Sequence, residues 1–204
     1  LKVTLISHTP DPEELCARAA ALCYKSEPKL SIIDHCVSRG HCSILEHASA
    51  TFLIEDISRI TSHQLVRHRI GCSYSQVSQR YTQCTHEQFA YPSEFSEEIK
   101  ERIDNCVKMS YATYDLLIKD GVPMEEARYV LPEGSTTSLV VTMNFRALLH
   151  FFELRCCLRA QREIREMARE MLRLIKEIAP RVFAYAGPPC ILGNCRERSC
   201  PGEN

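Results

Sequence analysis

The sequence predicts a single α+β domain, and three observations carry that reading. Short alternating runs rich in β-branched residues, at 2–6, 48–55 and 135–143, read as strands. Between them lie longer stretches with apolar residues at three- and four-residue steps, which read as helices. The length, 204 residues, is enough for one sizeable core with at most a small appendage.

Taken in order, residues 2–6 form an edge or core strand. The segment Thr9-Pro10-Asp11-Pro12-Glu13-Glu14 holds an Asp-x-x-Glu capping box with proline at the first helical position, which predicts a helix over 12–25. Its apolar face reads as Leu15, Ala19 and Leu22, with Cys16 and Cys23 packing beside it. A second short helix over 29–39 carries Leu30, Ile33 and Val37 and stops at Gly40. His41 and Ser43 follow on a loop, where ligand-capable groups make functional candidates. After the strand over 48–55, apolar residues 57, 60 and 65 predict a helix with Asp56 as its N-cap. Gly71 breaks that pattern, and 73–81 suits an extended chain crossing a cleft.

Residues 85–92 read as a connecting strand and loop. His86 and Glu87 are adjacent and so face different ways, which argues against a metal pair. The stripe Ile99, Ile103, Cys106, Ser110, Tyr114 and Leu117 predicts a helix over 96–120, stopped by Gly121 and used for core or subunit contact. A short helix restarts over 122–128, with Pro123 near its first turn, and Pro132 closes it. Beyond the strand at 135–143, Asn144 caps a helix made apolar by Phe145, Leu148, Leu149, Phe152 and Leu154. The last helix, 158–179, interleaves Glu163, Glu166 and Glu170 with Arg159, Arg162, Arg169 and Arg173, so it reads as a largely solvated face. The domain is drawn as 1–186, followed by a cysteine-containing tail over 187–204.

Basic and acidic residues nearly balance, 25 against 26, which disfavours a general nucleic-acid or membrane surface. No apolar run approaches a membrane span, and residues 1–8 lack a signal-peptide core, so a cytosolic enzyme is expected. The 12 cysteines are mostly scattered through apolar helices as small hydrophobes, so reduced thiols are expected.

The chemistry concentrates at Arg67-His68-Arg69-Ile70-Gly71-Cys72-Ser73-Tyr74-Ser75-Gln76-Val77-Ser78-Gln79-Arg80-Tyr81. Arginine's planar fork matches phosphate oxygens, and His68 can stack on a ring or donate to a carbonyl. Serine hydroxyls and the Gln76 and Gln79 amides can read the edge of a heterocycle. A solvated basic turn is the plain alternative.

Arg-His-Arg, eight residues, Ser78 and then Gln79-Arg80-Tyr81 resembles the signature of the flavin-dependent thymidylate synthases, at the longer end of the family's spacing. Agreement extends to Arg39-Gly40-His41-Cys42-Ser43-Ile44-Leu45-Glu46-His47, to Glu126-Ala127-Arg128-Tyr129-Val130-Leu131-Pro132, to Asn144-Phe145-Arg146, and to Leu154-Arg155 with Ala160-Gln161-Arg162-Glu163-Ile164-Arg165. It covers about residues 1 to 185.

That resemblance implies an α+β domain with a mixed, largely antiparallel twisted sheet flanked by helices, assembled as a homotetramer with sites at subunit interfaces. It implies reductive methylation of dUMP to dTMP, with methylenetetrahydrofolate as one-carbon donor and NADPH as reductant through FAD. His41, Ser43, Arg67, His68, Arg69, Gln76, Asn144, Arg146 and His150 would hold FAD. Gln76 replaces a glutamate common in relatives, and His150 an asparagine. Gln64, Ser78, Gln79, Arg80, Arg128 and Arg155 would hold dUMP, with Arg155 and Ser78 in the catalytic centre and His47 structural. Ser78 would position substrate, since no enzyme nucleophile is implied and no base adjoins it in sequence.

Two other classes compete with this enzyme. A nucleotide- or RNA-binding module using 67–80 would want a basic balance and an aromatic platform, whereas only Tyr74 and Tyr81 interleave with the arginines. A thiol-rich metal or redox protein would want paired cysteines. Cys190, Cys195 and Cys200 instead fall at five-residue steps without a Cys-x-x-Cys knuckle, and adjacent Cys156 and Cys157 point apart.

Overall fold

The computed structural model describes residues 1–193 and Cys195. Four strands form one sheet in the order β1-β2-β4-β3: β1 Lys2–His8, β2 Ser49–Ser58, β3 Cys72–Gln76 and β4 Thr136–Asn144. Every pairing in it is antiparallel. The α+β expectation holds, with β1 on an edge.

Alternation builds the sheet's two faces. Ala50, Phe52 and Ile54 of β2 and Leu139, Val141 and Met143 of β4 are buried on one side. The other side carries Thr51 and Thr142, whose hydroxyls bond each other at 2.9 Å across the strands. Helices cover the apolar side: α1 Pro12–Tyr24, α2 Ser31–Ser38, α3 Arg59–Leu65, α6 Phe145–Arg155 and α7 Arg162–Ile178 all contribute to one core. Its aromatic centre is Phe145, Phe151, Phe152 and Phe183, stacked edge-on at centroid separations from 5.1 to 5.9 Å.

A smaller cluster lies between α4 Glu97–Lys119 and α5 Met124–Ala127, with Val107, Tyr111, Tyr114, Ala127 and Cys84 buried together. Tyr111 ties it to the sheet, donating to Ser135 Oγ at 2.8 Å. The crossing at Gly134 is close enough that a Cβ would overlap the Phe89 ring. Among the described residues, no helix is long and apolar enough to cross a membrane.

Several local expectations are corrected. Asp11 sits at φ 42° and makes no side-chain cap, so the capping box does not form, although Pro12 does open α1. The buried face of α1 is Cys16, Ala17, Ala20 and Ala21; Leu22 is exposed, because small residues let the helix approach α2 and the core closely. Asp56 is not a helix cap. It takes φ 57° in a β-bulge between Ile54 and Ile57, and pairing with β4 extends β2 to Ser58, which caps α3 instead. The strip is extended only through Gln76, and a turn at Ser78 replaces the expected strand to Tyr81. On α4 the buried positions are Val107, Tyr111 and Tyr114, while Cys106 is exposed.

The last helix starts at Arg162, with the Gln161 side chain accepting from Ile164 N, and it is far less solvated than charge spacing suggested. Ile164, Met167, Ala168, Met171 and Ile175 are buried along it. Asn144 does cap α6, accepting from Ala147 N at 2.8 Å.

Truncating the aromatic centre gives a direct stability test. Phe152→Ala should cost about 3–5 kcal/mol, read as a lowered denaturant midpoint with an unchanged slope.

Candidate active site

Three elements converge at the start of β3. The α3 helix ends at Leu65, the chain turns through Arg67, His68 and Arg69, and Gly71 at φ 71° redirects it into the strand. Tyr74, two residues into β3 beyond Cys72, folds its hydroxyl back between the carbonyls of His68 at 2.6 Å and Leu65 at 3.1 Å. The Asn144 amide N–H donates to Gly71 O at 2.9 Å, and its carboxamide fills the space a Cβ on Gly71 would need. The turn is therefore fixed by tyrosine on one side and by the α6 N-cap on the other.

Arg155, at the far end of α6, reaches this turn. Its Nε donates to His68 Nε2 at 3.0 Å, and its Nη2 lies 3.4 Å from the Gln64 carbonyl. A guanidinium has no lone pair to offer, so His68 must accept through Nε2 and carry its proton on Nδ1. Burial, then the Arg155 cation, then His150 push the His68 pKa down to about 4. Burial, and secondarily Arg67, also lowers the Arg155 pKa, yet an arginine stays charged throughout the working range. His68 further packs edge-on against Phe151 at 5.0 Å and stands 6.3 Å from the His150 ring.

Among the described residues, Arg67 and Arg69 are exposed and have no hydrogen-bond or ion-pair partner. Their charge is thus available to an anion. Arg146 pairs with Glu46 at 2.5 Å, which ties the start of α6 to the short 3-10 segment Cys42–His47. His41 and Ser43 are exposed at the start of that segment, which packs on α6. His150 faces Glu153 at 3.4 Å. The Gln76 amide nitrogen is already engaged, donating to Ser62 Oγ and Thr137 Oγ1 at 3.1 Å each.

The other expected residues gather past the opposite end of β3. Ser78 opens a turn, its Oγ accepting from Arg80 N at 3.2 Å, and no side-chain base contacts that hydroxyl among the described residues. Arg80 is paired to Glu125 by contacts of 2.9 and 2.7 Å, and Arg128 Nε donates to Glu125 O at 3.2 Å. Gln79 joins Arg128 in the wall of a cavity of about 350 Å³, together with Arg59, His63 and Glu133. Gln79 Nε2 is buried without an oxygen or nitrogen acceptor, beside the Cys84 thiol.

Arg59 is a basic group that sequence reasoning missed. It is half-buried, and burial followed by the nearby Arg128 charge lowers its pKa. Its available signal was its place four residues before His63, on the same face of a helix leading into the strip. Glu163 and Tyr74 were also missed as shaping residues, since their partners are distant or main-chain groups. Among the described residues no three of His, Cys, Asp or Glu converge into a metal-binding group, and the cysteines are free thiols. Cys200 lies outside the described residues.

Two measurements test this geometry. Because the folded His68 pKa lies below its ordinary 6.5, the unfolded chain takes up the proton first as pH falls. The His68 contribution to stability is therefore complete above about pH 6.5 and lost on the way down to about 4. Imidazole NMR should find a neutral Nδ1–H ring at pH 5.5; an imidazolium there would contradict the Arg155 contact. Gly71→Ala should cost about 2–4 kcal/mol through left-handed strain and the clash with Asn144, and a variant as stable as the parent would contradict the close approach.

The family model described as thymidylate synthase complementing protein matches residues 4–181. A flavin-dependent thymidylate synthase from Geobacter sulfurreducens is 50% identical, covering 97% of this chain and 91% of its own. One from Clostridium tetani is 40% identical over the same shares, and one from Pyrococcus horikoshii is 43% identical over 97% and 90%. A solved structure, the UMP/dUMP methylase PolB from Streptomyces cacaoi bound with 5-Br dUMP, has the same fold at a TM-score of 0.76 and 22% identity. It covers 90% of this chain and 93% of that one. With a family match over residues 4–181, through the strip and α7, and relatives 40% or more identical over nearly the whole chain, the chain belongs to the flavin-dependent thymidylate synthase family.

Proposed function

We propose that the chain catalyses reductive methylation of dUMP to dTMP, taking one carbon from methylenetetrahydrofolate and reducing equivalents from NADPH through FAD. The observation that carries this reading is the Arg155 guanidinium, held without a carboxylate partner among the described residues and aimed by a neutral His68 beside two unpaired arginines. The nucleotide- or RNA-binding alternative is not favoured, since the family match runs through the strip from end to end.

The donor set fits a flavin dinucleotide. Arg67 and Arg69 bring unpaired charge suited to a pyrophosphate, His68 and His150 bring ring edges, and His41, Ser43, Asn144 and Arg146 lie at the start of α6 or on the short segment packed against that helix. Gln76 would contribute only its carbonyl, because its nitrogen is engaged within the protein. When bound, FAD would supply the redox chemistry between NADPH and the one-carbon unit.

The chain's own residues supply position and charge. Uracil gains negative charge as its C5 attacks the one-carbon unit, and a preorganised Arg155 stabilises that charge without reorganising. The neutral His68 accepts from Arg155 and adds no competing cation at the same point. Gln64 stands beside Arg155 at the end of α3. Ser78, Gln79, Arg80 and Arg128 hold the nucleotide, and Arg59 is added to this set because it lines the same cavity as Gln79 and Arg128. Ser78 acts as a positioning hydroxyl.

Arg155 and Arg80 stand at opposite ends of β3, whose five residues span about 17 Å. A homotetramer with sites shared between copies would let Arg155 of one copy and Arg80 of another meet on one nucleotide. Exposed Ile70, Val77, Tyr81 and Tyr129 along the strip and beside Arg128 are apolar surface suited to such contacts. The catalytic domain is taken as 1–186 with 187–204 appended, and the cytoplasm as the site of action.

The test is an anaerobic visible spectrum of the purified protein with NADPH, with and without dUMP. A flavin band that bleaches faster with dUMP supports the assignment, while a protein that neither holds flavin nor oxidises NADPH overturns it. Arg155→Ala should lower methylation by about 100-fold or more and flavin reduction far less; equal losses would contradict its role. Ser78→Ala should weaken dUMP binding or turnover and leave residual activity, whereas complete loss with binding intact would point to a nucleophile. Arg59→Ala should raise the KM for dUMP roughly tenfold or more with the flavin band unchanged, and an unchanged KM would remove it from the site.

A further inference from the structure

We propose that Glu163, in the first turn of α7, is a positioning residue for the segment bearing Gln64 and Arg67 to Arg69, acting through α3 and touching no ligand. The activity readout of this proposal rests on the function proposed above. Its geometry is independent of that function.

The Glu163 carboxylate reaches across to the N-terminus of α3. Oε1 accepts from Ser58 N at 2.7 Å, and Oε2 accepts from Thr61 Oγ1 at 2.7 Å and from Ser58 Oγ. Ser58 Oγ in turn accepts from Thr61 N at 3.1 Å, which makes it the N-cap of α3. Gln161, the N-cap of α7, lies 3.3 Å from Thr61 Oγ1 through its Oε1. Ser58 and Thr61 are buried, so each hydroxyl depends on a protein partner. One carboxylate therefore satisfies donors at the start of α3 while sitting in the favourable first turn of α7.

The consequence lies at the other end of α3. Seven residues of helix make a lever of about 10 Å. A tilt of roughly 10° at the anchor would move Gln64 and the following arginine turn by nearly 2 Å, and misplacement of about 1 Å can cost on the order of 100-fold in rate. Tyr74 and Arg155 hold only the far end, and both grip main-chain carbonyls. At the near end Arg59 N and Ile60 N donate to the Ser135 and Glu133 carbonyls, and Glu163 is the side chain that takes up both the Ser58 and the Thr61 hydroxyls.

The test compares Glu163→Ala, Glu163→Gln and Thr61→Val with the parent. Amide hydrogen exchange in the ligand-free protein should quicken about tenfold or more over 62–70 in Glu163→Ala, leave β2 and β4 unchanged, and be largely restored in Glu163→Gln. With each protein assayed well below its own melting temperature, kcat/KM for dUMP should fall about 10- to 100-fold in Glu163→Ala and recover in Glu163→Gln. Parental exchange over 62–70, exchange that quickens equally across the sheet, or parental kinetics in folded Glu163→Ala would each overturn the proposal. If Glu163→Ala does not fold, Thr61→Val removes one donor alone and should move exchange and kcat/KM in the same direction, and a parental Thr61→Val would overturn it. A parent protein without flavin or turnover would instead count against the proposed function, while hydrogen exchange still decides the positioning role.

Discussion

A charged guanidinium beside a neutral imidazole organises the candidate site. Arg155 can donate to His68 only while His68 keeps its Nε2 lone pair, and the burial that keeps His68 neutral is supplied by the same packing that seats α6 against the sheet. Phe151 both closes the edge of His68 and belongs to the aromatic centre of the core. Core packing and site electrostatics are therefore one construction. The Tyr74 hydroxyl, the Asn144 cap and the positive-φ Gly71 then hold the main chain of the turn so that the side chains of Arg67 and Arg69 stay free for ligand.

The sheet sets how that site is completed. The Arg155 cluster lies against the turn that enters β3, and the Arg80, Glu125 and Arg128 cluster lies beyond the strand's other end. At its far end Arg80 is held by Glu125, which keeps a cation near the turn at Ser78. Gln79 joins Arg59 and Arg128 in the wall of the cavity there. Two half-sets of donors on one chain make physical sense if neighbouring copies bring opposite ends together.

Much of this was legible in the sequence because it rests on local chemistry. The Asn144 cap, the Gly71 break, the Pro12 start and the β2 and β4 alternation each depend on a few neighbouring residues, and they formed as expected. The resemblance pointed to Arg67, His68, Arg69, Ser78 and Arg80 through its signature and to Arg155 through a separate segment. What failed depended on distant partners. Asp56 reads as a cap until β4 pairs beyond it and turns it into a bulge. The charges of α7 read as a solvated face until Glu163 finds Ser58 and Thr61 across more than 100 residues of chain. Leu22 reads as core in α1, yet alanines and Cys16 allow the closer packing. The neutrality of His68 was equally invisible, since it needs the burial and the cation that only the folded chain provides.

Subunit mixing tests most directly whether each site draws on two copies. Arg155→Ala and Arg80→Ala proteins, each impaired alone, would be unfolded, mixed and reassembled, then assayed for dUMP methylation. If Arg155 and Arg80 reach one nucleotide from different protomers, random mixing restores intact sites at up to about a quarter of positions, and activity returns well above either parent variant. Mixed assemblies no more active than the separate variants would mean that both arginines come from one chain, and would contradict the shared site.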